Sequence, residues 1–406
     1  STTYFQSYQL AYDIARKAER CFRYELGLSD SAYINFGYWD SLKKGLLAGE
    51  KLSYDIHTLE IAYLEQNKRE LELTKPISLS QLDPVALLKL KTTGECWVNL
   101  PEELFDMDYP GHYMRRVRSV ALTIPCISGP YTTVSCILTM IKNSVRTSGL
   151  SGDAATYSRK QTNGVPADDP RFRDGVGALQ SIATSSAQND NGLFELNFRD
   201  DRYLPFEGAG AISLWHIQLP AAVRQFDYNT ISDVIVHLKY SARDGGDALR
   251  SIAATSLTTA INKMLVSTKD TGLMRIFSAK NDLATDWYRF LHPTNATDDQ
   301  TLSLVLDQSR FPLFVQGKKI KITSIEFAAD TVAVPTKPLS VVSPASTDVL
   351  NLTAAAIYGN WLSGSVDYSA APKDPGTWII KNVVANDRLK DTDLNNLVII
   401  VHYQVS

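Results

Sequence analysis

The 406-residue sequence predicts an α+β fold: N-terminal helices followed by a mainly antiparallel β-sandwich with two inserted helices. Three observations predict it. Apolar residues near the start recur at the three- and four-residue spacing of helices. From Glu95 onward they fall instead in short alternating runs separated by turn residues, a pattern of sandwiches and not of βαβ units. Between the two regimes lies LPEELFDMDYPGHYMRRVRSVALTIPCISGPY, residues 100–131, where one architecture hands over to the other.

In the first helix Tyr8, Tyr12, Ala15, Ala18 and Phe22 form one stripe, and Glu19 and Arg23 sit one turn apart as an opposite-charge pair, as do Asp13 and Lys17. The helix starts without a cap, so the chain reads as a piece of something larger. After Gly27, Asp40-Ser41 can cap a second helix whose apolar face is Leu52, Ile56, Leu59 and Tyr63; Pro76 should end it by about Lys75. Asp83-Pro84 then offers an N-cap with proline in the first turn, and Gly94 a stop, for a short helix through Leu90. Residues 1–92 are thus expected to form a helical segment, with as many acidic as basic residues, and residues 93–406 the sandwich.

Strands are predicted at 96–100, 117–124, 133–140, 193–198, 212–219, 231–240, 273–277, 302–306, 320–327, 378–383 and 397–405. Helices are expected from Asp247, carrying Leu249, Ile252, Leu257, Ile261 and Met264, and from Asp282 to Leu291. Residues 146–175 are rich in Ser, Gly, Thr and Asp and are expected to form a long mobile loop; 330–376 should be mostly irregular. In the handover stretch Pro101, Phe105, Pro110, Gly111 and Tyr113 mark a structural joint, and a long strand follows in which Val120, Leu122 and Ile124 alternate with Ala121 and Thr123. Its start carries Arg115, Arg116 and Arg118, more charge than can be buried unpaired, so it should meet acidic groups or lie at a rim. Arginine forks suit contacts between proteins, which makes these three candidate contacts to a partner or a neighbouring subunit, together with Asp200, Asp201 and Arg202 in a rim loop.

Composition excludes more than it assigns. A net charge of −3 gives no bulk electrostatic reason to bind nucleic acid, and no apolar run approaches the roughly 20 residues of a membrane-spanning helix. Cys21, Cys96, Cys126 and Cys136 lie far apart and read as buried free thiols, although Cys126 and Cys136 could face each other across a hairpin. His-Glu-x-x-His, Gly-x-Ser-x-Gly and phosphate-loop patterns are absent. Glu207-Gly-Ala-Gly210 is too short for a dinucleotide fingerprint, and Asp106-Met-Asp108 opens like a calcium loop but has Val117 where the bidentate Glu belongs. No cofactor, metal or catalytic group is assigned. His237, within an apolar strand, reads as a satisfied structural imidazole.

Six strings, YQLAYDIARKAERCFRYELG, YWDSLKKGLLAGEKLSYDIHTLE, QLDPVALLKLK, the handover stretch, FRDDRYLPFEGAGAISLWHIQLP and ISDVIVHLKYSARDGG, span most of residues 8–246. Their order resembles the C-terminal region of the Tc toxin A subunit, the pore-forming component of bacterial insecticidal toxin complexes. The resemblance implies that residues 1 to about 26 match the end of a channel helix and that the rest match the domain that binds the B component. In that family the A subunit is a secreted pentamer, and B and C together enclose a toxic enzyme that threads into the channel. The receptor-binding domains and nearly all of the channel are missing, so this stretch alone is expected neither to insert in a membrane nor to recognise a cell.

The reading is therefore a docking platform that is not an enzyme, with the handover stretch fixing the sandwich onto the helices. Two rivals are a glycan-binding sandwich using Trp361 and Tyr368, and a hydrolase using Asp200, Asp201 and His216.

Overall fold

A computed structural model describes the chain apart from residues 1, 29–31, 40–45, 130–131, 133, 150–155, 164, 176, 186–192, 196–204, 221–223, 268–271, 296, 313–314, 332–338, 355–357, 360, 383–387 and 406. Helices α1 (Thr2–Leu26) and α2 (Leu46–Gln66) form a pair. Phe22 and Leu26 pack on Leu59 and Ala62 at one end, and Ala15 joins Ile34, Tyr38 and Leu52 further along. Glu19, only 1% exposed, pairs with Arg23 at 3.2 Å as its spacing predicts, and also accepts from the Tyr33 and Ile34 backbone N–H groups. That carboxylate ties the inter-helix connection to α1.

The second helix stops nine residues short of Lys75. It ends at Gln66, and strand β1 (Leu71–Ser78) carries Pro76 in its ladder. Proline is tolerated there because β1 is an edge strand, where the missing N–H is not needed. The alternation Leu71, Leu73, Ile77 was present, but Lys75 takes one inward position, where it pairs with Asp108. Helices α3 (Leu79–Leu82) and α4 (Pro84–Thr93) follow. The α4 ends are as predicted: Asp83 accepts from Ala86 N at 2.9 Å, and Gly94 closes the helix at φ 87°, in the left-handed region.

The chain continues through β2 (Glu95–Leu100), α5 (Glu102–Asp106), β3 (His112–Thr123), β4 (Val134–Arg146), β5 (Gln161–Thr162), β6 (Val165–Pro166), β7 (Phe172–Gly175), β8 (Leu179–Ser185), β9 (Leu193–Glu195), β10 (Ile212–Gln218) and β11 (Ile235–Asp244). One sheet runs β1-β11-β3-β9; the facing sheet runs β2-β10-β4-β7, with β8 also on β4. All these pairs are antiparallel. Between the sheets lies a core that includes Val98, Val120, Leu122, Leu138, Trp215 and Leu238.

A second sandwich follows, where one had been expected to run to the end of the chain. Helix α6 (Gly246–Leu265) leads into β12 (Leu273–Ser278), α7 (Ala279–Asp282), α8 (Ala284–Leu291), β13 (Gln300–Leu306), β14 (Ile320–Thr331), β15 (Leu339–Val342), β16 (Thr347–Leu350), β17 (Thr353–Ala354), β18 (Leu362–Asp367), β19 (Gly376–Asn382) and β20 (Leu394–Val405). Sheets β12-β20-β14-β18-β17 and β13-β19-β15-β16 enclose a separate core built on Phe277, Phe290, Leu304, Phe327, Trp378 and Ile399. The segment expected to be irregular thus supplies β15 to β18 to these sheets.

Among the described residues, two contacts join the sandwiches. The first turns of α6 place Leu249 and Ala253 against Tyr113, Met114 and Tyr157 of the first, while Leu265 at its far end enters the core of the second. Separately, Leu88 of α4 packs with Ala328, Val398 and Ile400 on the outer face of the β14–β20 pair. All four cysteines are free thiols, with Cys21 exposed; burial pushes the thiols of Cys96 and Cys136 up to about 12, which keeps them unreactive.

Candidate docking site

The handover stretch builds a buried ionic centre. Helix α5 presents Glu102 and Asp106 on one face, four residues apart, and β3 and β4 bring Arg115 and Arg146 against them. Arg146 donates to both Glu102 carboxylate oxygens, from Nε and Nη2, each at 2.7 Å. Arg115 donates to Asp106 at 2.6 Å, and the Tyr157 hydroxyl donates to the other oxygen at 2.9 Å. None of the four charged side chains is more than 9% exposed. Burial pushes the Asp106 carboxyl up, against the pull of the Arg115 charge. The Arg146 guanidinium lies over the rings of Tyr157 and Phe172, 4.2 and 4.5 Å from their centroids.

This centre orders much of the segment expected to be a mobile loop. Few apolar side chains hold it; arginines do. Arg171 grips Asp169 and the carbonyls of Thr156 and Ser158, and Arg159 holds Asp174 through two hydrogen bonds of 2.6 and 2.7 Å. Tyr157 is consequently 3% exposed. The pattern was visible in the sequence as Arg146, Arg159, Arg171 and Arg173 set among Asp169, Asp174 and aromatic residues, and a reading based on apolar content alone passes over it.

The C-terminus of α1 is fastened to the first sandwich. A helix end leaves carbonyls without partners and carries partial negative charge, so cations are favoured there. Arg243 on β11 donates to Leu26 O at 3.0 Å and Glu25 O at 3.4 Å, and Arg173 on β7 donates to Arg23 O and Leu28 O. The Arg173 guanidinium also lies over the ring of Tyr24, whose hydroxyl donates to Gly208 O at 3.0 Å. Gly27 turns at φ 69° directly against Met114; a Cβ there would come within 2.7 Å of its sulfur. Sequence reading assigned roles to none of Arg146, Arg173 and Arg243.

Beside this junction α1, the α2–β1 connection and β3 enclose an open cleft of about 820 Å³. On its floor Glu70 accepts from Arg116 and from Arg243, with Arg118 3.8 Å away, and Arg118 also reaches Glu207 at 3.2 Å. Burial works to raise the Glu70 carboxyl, but hydrogen bonding and the Arg116 and Arg243 charges outweigh it and hold Glu70 below the usual carboxylate range.

The three arginines singled out from sequence therefore separate. Arg115 is buried in the ionic centre, Arg116 lies on the cleft floor, and Arg118 is exposed at its side. Asp200, Asp201 and Arg202 lie outside the described residues. Of the joint residues, Pro101 precedes α5, Phe105 is fully buried against Tyr240, and Gly111 at φ 84° lets the Arg250 backbone approach closely. With Pro110 before it and Tyr113 against Leu249, that part of the stretch seats α6. Asp108 pairs with Lys75, and His237 meets the Thr123 hydroxyl at 2.9 Å. Tyr368, a residue of the glycan rival, is buried against Trp378, and Trp361 packs at the contact between sandwiches. His216, from the hydrolase rival, stacks on Trp97 and pairs with Glu95 at 3.0 Å.

A family model described as the Tc toxin complex TcA C-terminal TcB-binding domain matches residues 1–242. Toxin subunit YenA2 of Yersinia entomophaga is 38% identical over 249 residues, 60% of this chain and 18% of that protein. This chain therefore spans less than a fifth of the curated relative. Among solved structures, TcaA-TcaB of Yersinia pseudotuberculosis aligns at a TM-score of 0.41 and 24% identity, over 60% of this chain and 14% of that one. Morganella morganii TcdA4 aligns at 0.38 and 23%, over 56% and 10%. At such scores neither alignment bears on function. The family match stops inside β11 and leaves α6 and the second sandwich outside it.

Proposed function

The chain belongs to the family of TcB-binding domains found at the C-terminal end of Tc toxin A subunits, and on that premise we propose that it works as a docking platform for the B component of the toxin shell. Docking would align the shell with the channel so that the toxic enzyme enclosed by B and C passes into it. The platform binds and does no chemistry of its own; it belongs to a secreted, insecticidal toxin subunit that assembles as a pentamer. One observation carries the reading: the matched residues 1–242 span the helix pair and the first sandwich up to the last two residues of β11, and Arg173, within the match, and Arg243, just past it, clamp those two parts together. A sandwich held rigidly on a helix end can pass a docking event at one on to the other. Among the described residues no helix is long and apolar enough to cross a membrane.

Light scattering of the chain with and without purified B component tests this. A mass increase that saturates at a fixed ratio is expected; a folded chain that leaves the B component unbound would refute it.

A further inference from the structure

The cleft beside the α1 terminus is charged out of proportion to the chain. The whole protein has 41 basic and 44 acidic residues, yet the cleft is lined by six basic side chains and three acidic ones. Its acids are largely engaged. Glu70 is shared by Arg116 and Arg243, Glu207 serves Arg118, and Glu25 accepts from the Tyr63 hydroxyl at 3.1 Å. At the rim Arg20, Lys68 and Arg69 are exposed and form no ion pair among the described residues. Deeper in, the Arg243 side chain is 5% exposed, and its Nε has no partner among the described residues.

A concave site lined by one sign of charge concentrates the opposite sign. We propose that this cleft receives an acidic segment of a partner polypeptide, its carboxylates engaging Arg20, Lys68 and Arg69 at the rim and Arg118 within. A polypeptide is favoured over a small anion because the unpaired cations are contributed by α1 and by the α2–β1 connection, on different sides of a cavity of about 820 Å³. A single phosphate meets one or two of them; a chain with repeated carboxylates meets all. The inference concerns the chemistry of the occupant and holds whether or not the B component carries it.

The test uses the full chain and a dye-labelled hexaglutamate peptide, followed by fluorescence anisotropy. Saturable binding at low ionic strength, weakened by salt, is expected, with no binding of hexalysine. The double variant Lys68→Glu/Arg69→Glu alters exposed, unpaired residues and should bind at least about tenfold more weakly, since rim charges govern such association. Reversal of Lys318 and Lys319, exposed in the second sandwich, should change nothing. Absence of hexaglutamate binding, equal binding by the cleft variant, or displacement by inorganic phosphate at matched charge would each overturn the proposal. A chain that binds hexaglutamate but not the B component would count against the docking reading and leave this one standing.

Discussion

The two sandwiches bury their polar groups by different means. The first encloses ions: Glu102 and Asp106 against Arg146 and Arg115, contributed by α5, β3 and β4. The second encloses a neutral amide. Gln300 is fully buried; it donates to Phe290 O and Leu389 O at 3.0 and 2.7 Å and accepts from Leu389 N and Asn382 Nδ2, each at 2.9 Å. Desolvating an ion costs several kcal/mol, recovered only if the counter-ion arrives in good geometry, whereas an amide can be satisfied mostly by backbone groups already present. The first sandwich is therefore the part in which a lost partner strands a buried charge, and it is also the part that holds α1.

Breaking the ionic centre should have the largest effect. Arg146→Ala removes both hydrogen bonds to the buried Glu102 carboxylate and leaves it only Arg115, 3.7 Å away, for an expected loss of about 3–5 kcal/mol, read as an earlier urea transition of the first sandwich. Glu102→Leu combined with Arg146→Met should recover most of that loss, because no charge is then stranded; if the pair is as unstable as Arg146→Ala, ion pairing is not what matters there. Acid should separate the sandwiches next. Arg171 holds Asp169, and Arg159 holds Asp174, below the ordinary carboxylate range, and Glu70 is also held low. Groups lowered in the folded state stabilise it above their unfolded pKa, and that stability is lost as pH falls through the folded value. Asp106, raised by burial, acts in the opposite sense, gaining stability as pH falls toward its unfolded pKa. Asp307 and Asp367 of the second sandwich are held low as well, but both are exposed and screened by solvent, so hydrogen exchange below about pH 4 should open peptides of the first sandwich before those of the second.

Smaller effects sharpen the contrast. Gln300→Ala should cost about 1–3 kcal/mol, confined to the second transition, since it orphans buried backbone groups and strands no charge. Tyr24→Phe, which removes the hydroxyl bond to Gly208 O, should cost about 0.5–1.5 kcal/mol and show mainly as faster exchange at the α1 terminus.

Local chemistry determined a good deal. The spacing of α1, the Asp83 cap and Gly94 stop of α4, and the alternation of β3 and β10 are properties of neighbouring residues, and the structure follows them. Where one inward position carried a charge, as Lys75 does in β1, the period was hidden. The candidate site was legible only as a set of residue types: Arg115, Arg116 and Arg118 adjoin in sequence, yet one ends in the ionic centre and the others at the cleft. Strand alternation sets Arg115 on the opposite face from Arg116 and Arg118, but which carboxylate each guanidinium meets depends on what the fold brings near it. Pairing of Arg146 with Glu102, 44 residues apart, and capping of α1 by Arg243, 217 residues on, are decided by tertiary structure alone. So is the division into two cores. Alternation records that a strand has a buried face; which sheet that face meets depends on where α6 carries the chain.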